Sequence, residues 1–246
     1  MVDVIHACID RVIPKRLEPI AAARVALEHS VGGQPGRIEA AMPCAKRWRT
    51  GRVLRVRFLD GAAEVRQRVK TYALEWCKWA NLAFDFGDGP GAEIRISFEL
   101  AGSWSAVGTD ALVEGYFPEH AATMNFGWLR RDTPENELSR VVLHEFGHAI
   151  GLIHEHQNPD NGIPWNKEVI YRQLGGPPNG WDRAEVDHNM FERYGAETTN
   201  YTRFDRDSVM LYSFPKEWTR DGRAFPSNVV LSETDKDFIA QQYPRA

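Results

Sequence analysis

Residues 132–156 read DTPENELSRVVLHEFGHAIGLIHEH, and this stretch leaves the chain little freedom. Thr133 can cap a helix, Pro134 suits the first helical position, and Glu135 complements the helix dipole. Leu138, Val141, Val142, Phe146 and Ile150 recur at helical spacing and form one apolar stripe. Gly151 is where the helix should stop, because glycine accepts the left-handed conformation that ends helices. The spacing predicts a helix over 132–151. Four of the chain's eight histidines fall between 144 and 156.

His144 and His148 are four apart, so a helix projects both imidazoles from one face. Two ligands of one zinc ion need that geometry. Beyond the turn at Gly151, His154 can swing back as a third ligand. Three protein ligands leave one position open for water, which marks a catalytic site rather than a structural one. Glu145 is placed to take a proton from that water and to pass it to a leaving amine. A bare HExxH arises by chance. The longer HExxHxxGxxH adds two fixed residues and sits here on a capped helix that ends at its glycine. One Zn2+ ion is expected, although cobalt or manganese could fill such a site in vitro. His156 reads as a surface residue or a neighbour of the ligands, not as a ligand.

The rest of the chain narrows the alternatives. It has 246 residues, 43% hydrophobic and 26% charged, with net charge −4. No basic stripe calls for nucleic acid, and the short patch CAKRWRTGR (44–52) reads as a solvated strand entry. No run of about 18 apolar residues exists to span a membrane. The N-terminus lacks a basic stretch followed by a long apolar core, so no signal peptide is visible. Cys8, Cys44 and Cys77 are too few, and odd in number, for a disulfide framework.

Residues 1–45 read as a leader or pro-segment that ends in the breaker-rich SVGGQPGRIEAAMPC (30–44). A single domain is expected over 46–246, with an N-terminal lobe (46–152) and a loop-rich C-terminal lobe (153–246). RVLRVRFL (52–59) and AEIRISFE (92–99) alternate as half-buried strands, FDF (84–86) is a short strand, and AATMNF (121–126) a weaker candidate. Val65, Val69, Tyr72, Ala73, Trp76 and Ala80 lie at helical spacing within 62–81. After residue 156, helices are expected at 166–174, 182–193 and 232–242. The pattern is α+β.

Downstream, DRDSVMLYSF (205–214) holds Met210 and Tyr212. Alone, such a methionine is usually core. Together with the extended histidine motif, it resembles the metzincin metalloproteases. Glu155 directly after His154, and a tyrosine two residues after Met210, most resemble the astacin family. GSWSAVGTDAL (102–112) resembles the segment leading to that family's edge strand, with TMNF (123–126) where the strand would fall.

The resemblance covers roughly 46–243. It implies a twisted mixed sheet with two long helices in the first lobe, a helical, loop-rich second lobe, and a zinc cleft between them. It implies zinc-dependent endopeptidase activity on a polypeptide laid extended along the edge strand. Met210 would floor the three histidines. Tyr212 would be a further zinc ligand at rest and then an oxyanion donor, chemistry within a phenol's reach. Glu155 would meet a newly cut N-terminus or make a structural hydrogen bond. A monomer, secreted outside the cell, is what such a resemblance suggests.

The chain departs from the family where Asn158 replaces the usual arginine, and it lacks the usual disulfide cysteines. Serralysin-type enzymes carry a proline after the third histidine and glycine-rich calcium repeats, and this chain has neither. Two other readings stand beside the endopeptidase: a silent zinc-dependent peptide-binding module and a zinc hydrolase of non-protein amides. A thiolate from Cys8 or Cys44 could displace the attacking water and hold the protein latent, or both could be ordinary thiols. Cys77 reads as core.

Overall fold

The computed structural model describes residues 8–9, 11–30, 46–177, 179–193 and 202–245. Its centre is a five-stranded sheet in the order β2-β1-β3-β5-β4. The strands are β1 (Val53–Phe58), β2 (Ala83–Phe86), β3 (Ile94–Ser97), β4 (Ser103–Ser105) and β5 (Met124–Phe126). All neighbours pair parallel except β4, which runs antiparallel to β5 with Trp104 opposite Asn125. The alternation predicted for β1 holds, with Leu54 and Val56 buried and Val53 and Arg55 exposed. The sheet edge differs from expectation. Residues 124–126 lie inside the sheet, and the edge strand is Ser103–Ser105. Three residues are too few for alternation to show, so β4 had no sequence signal of its own.

Two helices pack against each other and the sheet. α2 (Ala63–Trp76) buries Val65, Val69, Ala73 and Trp76. α3 (Glu135–Ala149) buries nearly everything from Leu138 onward. The Trp76 indole N–H donates to the Leu143 carbonyl at 2.9 Å, and Phe84 meets Phe146 edge-on at 5.1 Å. α3 starts later than predicted. Pro134 takes the capping position, with no side-chain cap, because the Thr133 hydroxyl instead accepts the Arg130 N–H in the preceding turn. Arg68 and Tyr72 of α2 hold Glu135 and so tie down the helix start.

A second apolar cluster gathers Trp165, Ile170, Leu174, Trp181, Met190, Tyr212, Phe214 and Trp218. It is carried by α4 (Lys167–Leu174), α5 (Arg183–Val186), a π-helical turn at Asp187–Phe191, and the loops around them. The helix expected over 182–193 is therefore two short pieces. The chain then returns to the first core, where Leu231, Ile239 and Tyr243 are buried. α6 (Glu233–Gln242) makes that return.

The leader contains a helix that periodicity did not reveal, α1 (Glu18–Ser30). It buries none of its residues, so it has no apolar stripe to read. Charges hold it: Arg24 pairs with Glu114, and Glu28 with Arg52. Residues 31–45, including the predicted linker, lie outside the described residues. Among the described residues, no helix is long and apolar enough to cross a membrane.

Candidate metal centre and active site

α3 delivers His144 and His148 to the seam between the two apolar clusters. Its end is built by glycine. Gly151 has φ 103°, its N–H reaches the His148 carbonyl at 2.8 Å, and the Leu152 N–H reaches back to Gly147 at 2.9 Å. A left-handed residue closing a helix in this way turns the chain at once. That turn brings His154 back beside the first two histidines.

The three Nε2 atoms stand 3.2, 3.0 and 3.1 Å from one another. Three ligands at about 2.1 Å from one tetrahedral ion would be about 3.4 Å apart. All three rings are essentially buried. The Nδ1 of His144 donates to the Val209 carbonyl at 2.9 Å, and that of His148 to the Leu152 carbonyl at 2.8 Å. Those bonds aim the Nε2 atoms of His144 and His148 at the point where that of His154 also lies, an arrangement that suits a single cation. Burial, and then the neighbouring histidines, hold His144 well below the usual imidazole pKa, so it stays a neutral imidazole. The residues therefore fit one zinc ion.

The other predicted site residues gather around this point. Glu145 is 1% exposed. Met210 lies under α3, its sulfur against Gly147. Tyr212 packs on His144 and His154, with ring centroids 5.6 and 4.4 Å away. Glu155 faces away from the metal point. It accepts the Asp205 N–H at 2.8 Å and an Asn158 amide N–H at 3.0 Å, the structural role considered for it. Burial pushes its pKa up to about 8. Asn158 thus stands in a local bond network.

Two further residues adjoin this point. His156 is buried, so of the two readings made for it the neighbour of the other histidines holds and the surface residue does not. Its ring lies 5.1 Å from that of His154 and 4.6 Å from that of Tyr212, and its Nε2 pairs with the Asn189 carbonyl. Asp235 of α6 accepts from Ser208 Oγ and the Val209 N–H, which fixes the carbonyl that orients His144. The signal for Asp235 was present as a capping box, Ser232-x-x-Asp235, and both of its reciprocal bonds form.

The leader reaches the same point. The Cys8 sulfur groups with His144, His148 and His154, all ligand atoms lying within 4.8 Å of one another. Its thiol donates to Glu145 Oε1 at 2.8 Å, and its carbonyl accepts the Tyr212 hydroxyl at 2.6 Å. Ile9 then donates its N–H to the Ser103 carbonyl of edge strand β4. Cys44 lies outside the described residues. Cys77 is partly buried in the core, and burial pushes its thiol up to about 11.

No protein-family model matches the chain. A structure of myroilysin is 44% identical, with a TM-score of 0.78, over 82% of this chain and 97% of its own. A second myroilysin structure is 39% identical over 96% of this chain, with a TM-score of 0.64. The hatching enzyme zinc-protease of the medaka Oryzias latipes shares the fold at 16% identity and a TM-score of 0.56. Among curated proteins, zinc metalloproteinase nas-38 of Caenorhabditis elegans is 26% identical over 174 residues. The chain spans about a fifth of that relative's length. With the histidine motif, the methionine turn and these relatives together, the chain belongs to the astacin-like family of metzincin zinc metalloproteases.

Proposed function

We propose that the chain is a zinc-dependent endopeptidase carried in a latent form by its own leader. The observation that supports it most is the convergence of the three Nε2 atoms beside a buried Glu145 whose oxygen is held by the Cys8 thiol. His144, His148 and His154 would hold the ion. When bound, zinc supplies Lewis acidity to the attacking water and the scissile carbonyl.

The chain's own groups do the rest. Glu145 takes the proton at Oε1 and delivers it to the leaving amine. The Tyr212 hydroxyl, already donating to a peptide carbonyl at Cys8, donates to the oxygen that gains charge. It is also the candidate further ligand when no carbonyl is present. Met210 supports the histidines from below. The free edge of β4 offers main-chain partners to an extended polypeptide, as it does to Ile9. This rail favours polypeptide over small amides, and the joint presence of Glu145 and Tyr212 argues against a silent binding module. In the latent form the Cys8 sulfur, its proton passed to Glu145 Oε1, would be a further donor beside the three histidines, and Cys8 would occupy both proposed catalytic side chains at once.

The test is hydrolysis of an unfolded protein by zinc-loaded, leader-cut wild type and Glu145→Gln. Cutting by wild type, with zinc retained but activity lost in the variant, is the expected result. Bound zinc with no cutting by wild type would overturn the reading.

A further inference from the structure

Arg11 is the leader residue three positions from the one at the metal point, and it is held in an unusual way. Its guanidinium carbon lies 4.4 Å from the ring centroid of Trp104 and 5.6 Å from that of Tyr116. Among the described residues no carboxylate pairs with it, and its Nε is buried without a hydrogen-bond partner. The rings meet the charge through their faces, the arrangement that attracts a cation to an aromatic system.

Trp104 is the central residue of edge strand β4, and its two neighbours pair with β5 in the sheet. The leader touches this strand through its main chain. Ile9 bonds to Ser103, and the Cys8 carbonyl takes the Tyr212 hydroxyl where a scissile carbonyl would. Cys8 and Ile9 thus stand where a substrate main chain would, with the positive side chain of Arg11 in the aromatic recess. Both rings belong to the catalytic domain and remain when the leader leaves.

We infer that Trp104 and Tyr116 form a specificity subsite that takes a cationic side chain, arginine or lysine, of the polypeptide substrate. The inference rests on the endopeptidase reading. An extended substrate on the same strand edge places alternate side chains toward the same recess. A neutral apolar side chain of equal length gains the ring contact but not the attraction to the ring faces, so arginine is favoured over norleucine by about five- to tenfold.

The experiment measures binding, not turnover. The full chain carrying Cys8→Ala, Arg11→Ala and Glu145→Gln, loaded with zinc, is titrated with matched fluorescent peptides. A single arginine is walked through each position, with norleucine as its control. The remaining leader competes equally with both peptides, so their ratio is unaffected. The expected result is one position at which arginine binds about five- to tenfold tighter. That preference falls below about twofold in Trp104→Leu and in Tyr116→Leu, and partly survives in Trp104→Phe. Tyr116→Leu keeps the test sound if Trp104→Leu unfolds. Arginine indifference at every position, no binding of any peptide, or a preference that survives both leucine variants would overturn the inference. The endopeptidase reading fails separately, through intact protein substrate when Glu145 is present.

Discussion

Gly147 and Met210 are packed so closely that a Cβ on the glycine would stand 2.3 Å from the methionine sulfur and 3.2 Å from Trp76. The glycine inside HEFGH is therefore a contact surface that lets the methionine turn rise against the zinc helix between His144 and His148. Gly147→Ala would gain helix propensity, worth about 1 kcal/mol, but overpacking typically costs about 1–3 kcal/mol. We expect net destabilisation in urea melts and weaker zinc retention against a chelator. Met210→Ala in the same chain should restore part of the loss, giving a coupling above about 0.5 kcal/mol. Additive effects would show that the two residues do not press on each other.

The far end of α3 is held by two aromatic side chains. The Trp48 indole N–H donates to the Ala149 carbonyl at 2.8 Å, and the Tyr243 hydroxyl to the Ile150 carbonyl at 2.7 Å. These carbonyls belong to the last turn of the helix, where no intrahelical donor remains. Trp48→Phe and Tyr243→Phe keep most of the ring contact and orphan one buried carbonyl each. Each should cost about 1–3 kcal/mol. Because His148 lies in the same turn, zinc release should quicken as well. Unchanged zinc release at reduced stability would separate the helix end from the metal centre.

Asp235 gives a pH signature. Burial is the main cause that raises its pKa above the usual aspartate value, although Ser208, Val209 and Ser232 all donate to it. A raised carboxyl pKa means the folded state binds its proton more tightly than the unfolded state. Its contribution is therefore most favourable below the unfolded pKa, near about 4, and declines as pH rises toward the folded value. An asparagine in its place can keep an oxygen toward the Val209 and Ser232 N–H groups and turn its amide toward Ser208 Oγ. Asp235→Asn should gain stability relative to wild type between about pH 4 and pH 7. Thermal melts at the two pH values check the sign, and a relative loss at the higher pH would contradict it.

The legible parts of this molecule were those with a period or a fixed spacing. β1 and α3 are marked by alternation and by an apolar stripe, and the cluster of three histidines by the spacing between them. α1 is not, because its docking surface is charged pairs rather than an apolar face. β4 is not, because three residues carry no period. TMNF falls where the resembled family has its edge strand, but Met124–Phe126 pairs with β3 on one side and β4 on the other, which leaves Ser103–Ser105 at the edge. For His156 the residues leave a surface place and a place beside the other histidines both open, because its polar turn gives no hint of the aromatic cluster that covers it. Cys8 stands far ahead of His144 in the chain. Its cysteine chemistry suggests a metal thiolate, and the structure places it beside the three histidines, while Cys44 lies outside the described residues.

That placement makes the last prediction sharp. Cys8 engages the two proposed catalytic side chains through two different atoms, with its thiol on Glu145 and its carbonyl on Tyr212. Cys8→Ala removes the first and leaves the second, because the carbonyl belongs to the backbone. The zinc-loaded full-length variant should therefore show raised basal hydrolysis of an unfolded protein, by about tenfold or more, since a thiolate is a far stronger zinc ligand than the water it displaces. It should still be slower than the leader-cut protein, because Ile9 keeps its bond to β4 and Ile13 and Leu17 stay buried in the core. Cys77→Ser serves as the control, as Cys77 lies away from the cleft. Basal activity in Cys8→Ala equal to wild type would show that the thiol contributes nothing to latency. Activity equal to the cut protein would show that the thiol alone accounts for it, and that the strand contacts of the leader add no hold.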